Sequence, residues 1–235
     1  MSDIIESIRQ ELISNSDEKT RLSAERYFKE GVKLYGLKSA DVSRISIAHY
    51  KEIVDKSKSH IFSLCTELWK SGYMEESFVA CNWSFNVRKY YERADFEVFE
   101  KWVSSYVGNW ASCDTLCNHT VGTFIEIYPE YLSELKRWAS SQNRWVKRAS
   151  AVSLIVPAKK GKFLNNIFEI AEILLSDKDD MVQKGYGWML KAASHTHEKE
   201  VFNYVISKKA IMPRTSLRYA VEKMPAELKA MAMAK

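Results

Sequence analysis

The chain has 235 residues, 46% of them hydrophobic and 12% aromatic, which is enough to bury a substantial core as one domain or one continuous array. Eight Gly and four Pro are too few for a many-turned sandwich or barrel, so an all-helical fold is expected. The net charge of +5 is unevenly placed: residues 140–235 carry 17 Lys and Arg against 9 Asp and Glu, and residues 1–139 carry 18 against 21, which suggests a polyanion-facing surface in the C-terminal part.

The N-terminus, MSDIIESIRQELISNS, has Asp3, Glu6, Arg9 and Glu11 among its apolar residues and reads as neither a signal peptide nor a transit sequence. No uncharged run approaches the roughly 20 residues of a membrane span. The protein is therefore expected to be soluble and cytoplasmic. Apolar periodicity and breakers place helices at about 3–14, 17–35, 40–56, 59–71, 74–91, 94–106, 110–127, 130–141, 144–156, 163–176, 179–195, 198–207 and 214–223. Short polar connectors such as Asn15-Ser16-Asp17, Ser39-Ala40-Asp41 and Ser176-Asp177 supply caps. Residues 224–235 are left open between a docked helix and a frayed tail.

Cys65, Cys81, Cys113 and Cys117 lie on helical segments and read as reduced thiols. Cys113, Cys117 and His119 fall within about two turns, but their spacing matches no usual zinc pattern, and small core residues at i, i+4 are the simpler reading. No metal site is expected. Lys160-Gly161-Lys162-Phe163 lacks the upstream glycine and the Ser/Thr of a phosphate loop, so nucleotide triphosphate binding has no support.

Trp145-Val-Lys-Arg148-Ala-Ser-Ala-Val-Ser-Leu154 aligns with Met181-Val-Gln-Lys184-Gly-Tyr-Gly-Trp-Met-Leu190 at an offset of 36. Helical hairpins recurring near that period predict an α-solenoid, curved, with the second helix of each hairpin on its concave wall. Gly185 and Gly187 each cost about 1 kcal/mol relative to Ala inside a helix, so a close neighbour is expected there.

Trp110 and Asp114 are four apart and share a helix face. Arg144, Lys147 and Arg148 form a cationic edge around Trp145, and Lys184, Trp188 and Lys191 repeat the theme at i, i+4 and i+7. Taken singly, each Trp reads as core, Asp114 as a cap or ion-pair partner, and Arg148 as a surface cation. Together, aromatics flanked by cations favour a nucleic-acid groove.

The chain resembles the HEAT-like repeat DNA alkylation repair family. The resemblance rests on Ala24-Glu25-Arg26-Tyr27-Phe28, Leu34-Tyr35-Gly36-Leu37-Lys38, Glu67-Leu68-Trp69, Asn109-Trp110-Ala-Ser-Cys-Asp114, Trp145-Val-Lys-Arg148-Ala and Gln183-Lys184-Gly-Tyr-Gly187-Trp188-Met-Leu190, in the family's order. It implies one domain over 1–235, an α-solenoid of HEAT-like hairpins whose basic concave face grips double-stranded, alkylated DNA. It further implies a monomeric enzyme, without cofactor or metal, that excises positively charged N3- or N7-alkylated purines. By the resemblance, Trp110 and Trp188 contact the deoxyribose, Asp114 stabilises the sugar cation, Arg148 holds phosphate and Tyr27 belongs to the DNA-facing surface. Arg144, Lys147, Lys184 and Lys191 complete the expected DNA contacts. The alternatives are a non-catalytic binder of branched or distorted DNA and a helical-repeat protein scaffold.

Overall fold

A computed structural model describes residues 3–234 and is all-helical, with one isolated bridge between Lys33 and Tyr73 and no strand among the described residues. No described helix is long and apolar enough to cross a membrane. The chain divides into two compact units, Met1–Leu116 and Cys117–Lys235.

The first unit contains α1 (Asp3–Ser14), α2 (Glu18–Glu25), α3 (Ser39–Glu52), α4 (Lys58–Lys70), α5 (Met74–Asn86), a 3-10 turn (Arg88–Tyr90), α6 (Asp95–Ser105) and α7 (Trp110–Leu116). Ile5, Ile8 and Leu12 recur at helical spacing on α1 and are buried, so that α1 packs on α3 and α4. The centre of the unit is aromatic: Phe62, Phe99 and Trp102 meet edge to face or tilted at 5.4–5.7 Å.

The expected helix over 17–35 is corrected. Asp17 caps α2 by accepting from Thr20 N at 2.7 Å, but the helix stops at Glu25 and the chain runs irregularly to Lys38. Its ordering comes from α5. The buried Glu75 carboxylate accepts from the backbone N–H groups of Tyr35 (3.1 Å), Gly36 (2.9 Å) and Leu37 (3.2 Å), and Gly36 takes φ +99 to present them. Its neighbour Glu76, also buried, accepts from Arg9 Nε at 3.0 Å and from the Tyr35 hydroxyl at 2.8 Å.

The second unit opens with a π-helical turn (Cys117–Val121), followed by α8 (Gly122–Ile127), a 3-10 turn (Pro129–Tyr131), α9 (Leu132–Ala139), α10 (Arg144–Val152), α11 (Ile155–Lys159), α12 (Leu164–Leu174), α13 (Asp180–Ala193), α14 (Glu198–Lys208), α15 (Arg214–Ala220) and α16 (Ala226–Met233). The expected helix over 144–156 breaks at Ser153-Leu154. Pro157 has no N–H to continue the ladder, and the freed Ser153 carbonyl lies 2.7 Å from where a Cβ on residue 122 would stand, a site that glycine leaves open. Residues 226–233 form a helix packed on α14 and α15, with the carbonyls of Met231 and Met233 held by Lys209 (3.2 Å) and Arg214 (3.1 Å).

The internal echo is structural. Hairpins α9–α10 and α12–α13 stack with α9 on α12 and α10 on α13. Each second helix starts the same way: Asn143 Oδ1 accepts from Trp145 N (2.9 Å), as Asp179 Oδ1 accepts from Met181 N (2.8 Å). The cap residue's own N–H donates to Ser141 Oγ (3.1 Å) in one copy and to Asp177 Oδ1 (2.8 Å) in the other.

Candidate functional site

In the first unit the site begins at Asn109, whose Oδ1 accepts from Ser112 N at 2.9 Å and starts α7. Trp110 and Asp114 follow one turn apart on that helix, each half-buried. Asp114 is therefore outside the fully buried core. The Trp110 ring stacks on Phe28, with centroids 5.3 Å apart and planes 17° from parallel, and its Nε1 donates to the Tyr27 carbonyl at 3.4 Å. The residues just after α2 thus fix the indole's plane and direction. Tyr27 itself is 74% exposed. Beside the stack lies a mostly apolar groove of about 850 Å³, walled by Phe28, Leu37, Met74, Phe78 and Trp110, with Lys19 and Lys38 at its polar margin.

In the second unit Trp188 is half-buried on α13, while Tyr186, Met189 and Leu190 are fully buried. Burial pushes the Tyr186 hydroxyl up to about 12. Arg148 is a correction to its reading as a surface cation. It is 5% exposed, its Nη1 donates to the Met181 carbonyl at 2.5 Å, and its side chain lies across Gly185, where a Cβ would stand 3.2 Å from Arg148 Cγ. The close neighbours expected at the two glycines are both present. At Gly187 it is α15, with Tyr219 Cβ 2.7 Å and Ser216 O 2.9 Å from a would-be Cβ.

The four remaining cations assigned to DNA each have a carboxylate partner. Arg144 holds Asp179 with Nε 2.8 Å and Nη2 3.0 Å from its two oxygens, Lys147 pairs with Asp177, Lys184 with Asp180 (2.7 Å) and Lys191 with Glu222 (2.8 Å). Burial pushes the Asp179 carboxyl up, yet the hydrogen bond from Arg144, the backbone N–H groups of Met181 and Val182 and the guanidinium charge outweigh it and hold that group below the ordinary carboxylate range. Glu222 is likewise held low, chiefly by Lys191. Arg144, Lys147 and Arg148 all reach from α10 to the start of α13, tying the two copies together. The signal for this was the acidic run Asp177-Lys178-Asp179-Asp180, of which sequence reading took Ser176-Asp177 as a capping connector and 179–180 as the start of the helix over 179–195.

Cys113 and Cys117 are fully buried and His119 is exposed. Among the described residues no group of three or more His, Cys, Asp or Glu side chains is placed to hold a metal ion. The partners that sequence reasoning missed are Phe28, which only the fold brings against Trp110, and Glu75, whose backbone partners at 35–37 lie some forty residues away.

None of the curated proteins compared with this chain matches it. Among solved structures, a predicted DNA alkylation repair enzyme from Enterococcus faecalis has the same fold, with a TM-score of 0.78 at 15% identity over 90% of this chain and 97% of its own. The family model described as DNA alkylation repair enzyme matches residues 8–224, almost the whole described chain. With Trp110 and Asp114 paired on α7 and the repeat of α10 in α13, the match places the chain in the DNA alkylation repair enzyme family.

Proposed function

We propose that the protein is a monofunctional DNA glycosylase that hydrolyses the N-glycosidic bond of cationic N3- or N7-alkylated purines in double-stranded DNA. The observation that carries this reading is Asp114, a half-buried carboxylate one turn from Trp110, in a chain of the DNA alkylation repair family. An alkylated purine of this kind is already positively charged. When the C1′–N bond breaks, its electron pair goes to the base, which departs neutral and needs no general acid. Positive charge is left on the sugar. A carboxylate at that point stabilises the oxocarbenium-like species, and water adds its oxygen to C1′ while its proton passes to the carboxylate or solvent. The chemistry calls for one anion, and Asp114 supplies it. No lysine is assigned as an amine nucleophile, so strand cleavage is not part of the reaction.

Trp110 and Trp188 are assigned to the deoxyribose, Tyr27 and Arg148 to the DNA surface and backbone. Arg144, Lys147, Lys184 and Lys191 are assigned to phosphates, each exchanging its carboxylate for a phosphate oxygen. Within Cys117–Lys235, the stacking of α9–α10 on α12–α13 supports reading the hairpins as HEAT-like turns of an α-solenoid.

The test is release of 7-methylguanine from methylated duplex. Removing a group that stabilises transition-state charge costs about 3 kcal/mol, so Asp114→Asn should slow release by at least about 100-fold with duplex affinity retained. Undiminished release by that variant would end the proposal.

A further inference from the structure

A second cavity in the first unit, of about 240 Å³, lies between α4, α5 and α7 and is separate in its lining from the groove beside Trp110. Its walls include Lys33, Trp69, Ser77, Asn109 and Ser112, and no lining residue is a carboxylate.

Trp69 is the informative residue. It is 2% exposed, and its Nε1 is buried without a hydrogen-bond partner. Other buried indoles of this unit are satisfied at 3.0 Å, Trp83 by the Ser46 carbonyl and Trp102 by Thr66 Oγ1. An indole N–H can only donate, and leaving one unmet in the interior costs about 1–3 kcal/mol. An acceptor inside the cavity would meet it.

Two further donors stand in the wall, on Lys33 and Asn109. Lys33 forms no ion pair among the described residues, and its ammonium lies 4.0 Å from where a Cβ on Gly72 would stand, at the cavity's glycine-lined side. Asn109 has Oδ1 engaged by Ser112 N, which leaves Nδ2 as its donor. Ser77 gives its proton to the Met74 carbonyl at 2.6 Å and Ser112 gives its own to Ser77 Oγ, also at 2.6 Å, so neither hydroxyl donates into the cavity. Gly31 and Gly108 have nothing within 4 Å of a would-be Cβ, so a ligand can approach their backbone. Of the neighbouring acids on α5, Glu76 is paired with the Arg9 guanidinium and also bound by the Tyr35 hydroxyl, and Glu75 is occupied by three backbone N–H groups.

From Trp69 and Lys33, two donors without a partner among the described residues, in a wall that holds no carboxylate, we infer that the cavity binds a phosphate-type oxyanion, with Trp69 Nε1–H and Lys33 as its principal contacts. The volume suits one tetrahedral oxyanion with several waters at ~30 Å³ each. The oxyanion comes either from a free small molecule or from a DNA backbone. Neither source depends on the glycosylase chemistry at Asp114.

The experiment follows the indole N–H resonances of the ¹⁵N-labelled full chain while inorganic phosphate is added to tens of millimolar, with chloride at matched ionic strength as the control. Trp69→Phe assigns the resonance. It should shift saturably with phosphate and not with chloride, and Lys33→Met should weaken the apparent affinity about tenfold, as loss of a charge-assisted contact does. Lys33 is exposed, so that variant keeps the test readable even if Trp69→Phe does not fold. Added duplex that displaces phosphate while perturbing the same resonance identifies a backbone phosphate; phosphate that stays bound beside duplex identifies a free oxyanion. A Trp69 signal indifferent to phosphate, or moved equally by chloride, overturns the assignment.

Discussion

Gly187→Ala tests whether the close approach of α13 and α15 is required. A methyl group there would sit 2.7 Å from Tyr219 Cβ, 2.9 Å from Ser216 O and 3.1 Å from Ser216 Cα. Carbon pairs pack best at about 3.5–4.0 Å, so the overlap with Tyr219 Cβ alone approaches 1 Å, and since the other two obstacles are backbone atoms, no rotamer change can move any of the three. Parting the helices should cost about 2–3 kcal/mol, at the upper end for overpacking, while replacing a mid-helix glycine by alanine returns about 1 kcal/mol. The net is a loss of roughly 1–2 kcal/mol. With a urea m-value of about 2 kcal/mol/M, the unfolding midpoint should fall by roughly 0.5–1 M. Gly185→Ala in the same helix is the internal control, because its new Cβ meets chiefly the flexible Arg148 side chain, at 3.2 and 3.6 Å, and should leave the midpoint within about 0.3 M. A Gly187→Ala protein as stable as its parent would refute the reasoning.

Glu75→Ala should destabilise the first unit by about 3 kcal/mol, since three backbone N–H groups lose their acceptor, and hydrogen exchange should show the amides of Tyr35, Gly36 and Leu37 opening first; unchanged protection there would contradict the role given to Glu75. Asp179, Glu222 and Glu126, the last paired with Lys160 and Lys162, have folded-state pKa values held below the ordinary ones, so their contribution is complete above the unfolded values near pH 4 and is lost as pH falls through the folded values; Asp179→Asn should flatten this acid limb in urea titrations and cost about 1 kcal/mol at neutral pH. Phe28→Ala removes the stacking partner of Trp110, worth about 1 kcal/mol, and should alter the Trp110 fluorescence and lower the rate of base release more than duplex affinity; equal loss in both would count against a positioning role.

The legible parts of the fold were those written in local spacing. The i, i+4 relation of Trp110 and Asp114 and the cap at Asp17 depend on residues about one turn apart, and the 36-residue echo is a comparison of two such local patterns. What escaped was settled by distant residues. Helix propensity favoured continuing through 26–35, but Glu75, some forty residues away, offers the backbone of 35–37 a better set of hydrogen bonds than another helical turn would. The cations around Trp145 and Trp188 were recognisable as a basic pattern; that Asp179 and Asp177 would already hold Arg144 and Lys147 depends on how α10 meets α13, whereas the Lys184–Asp180 pair is i, i+4 within α13 and was open to a local reading.

Those ion pairs bear directly on how the proposed enzyme would hold DNA. A free lysine meeting a phosphate releases condensed counterions, and affinity then falls steeply with salt. A lysine that must first leave an aspartate gains less, because the abandoned carboxylate stands near the incoming phosphate. Lys147 and Arg144 are the more costly pair to redirect, since Asp177 and Asp179 also order the start of α13 through their N–H contacts. Lys184 and Lys191, whose partners are more exposed, can be redirected at lower cost. Binding to undamaged duplex should therefore be weak and only moderately salt-dependent for so basic a segment. Under the proposed function, weak backbone binding is compatible with selectivity: the discrimination would come from the charge on the lesion and the carboxylate of Asp114, and the backbone contacts would need only to place the sugar.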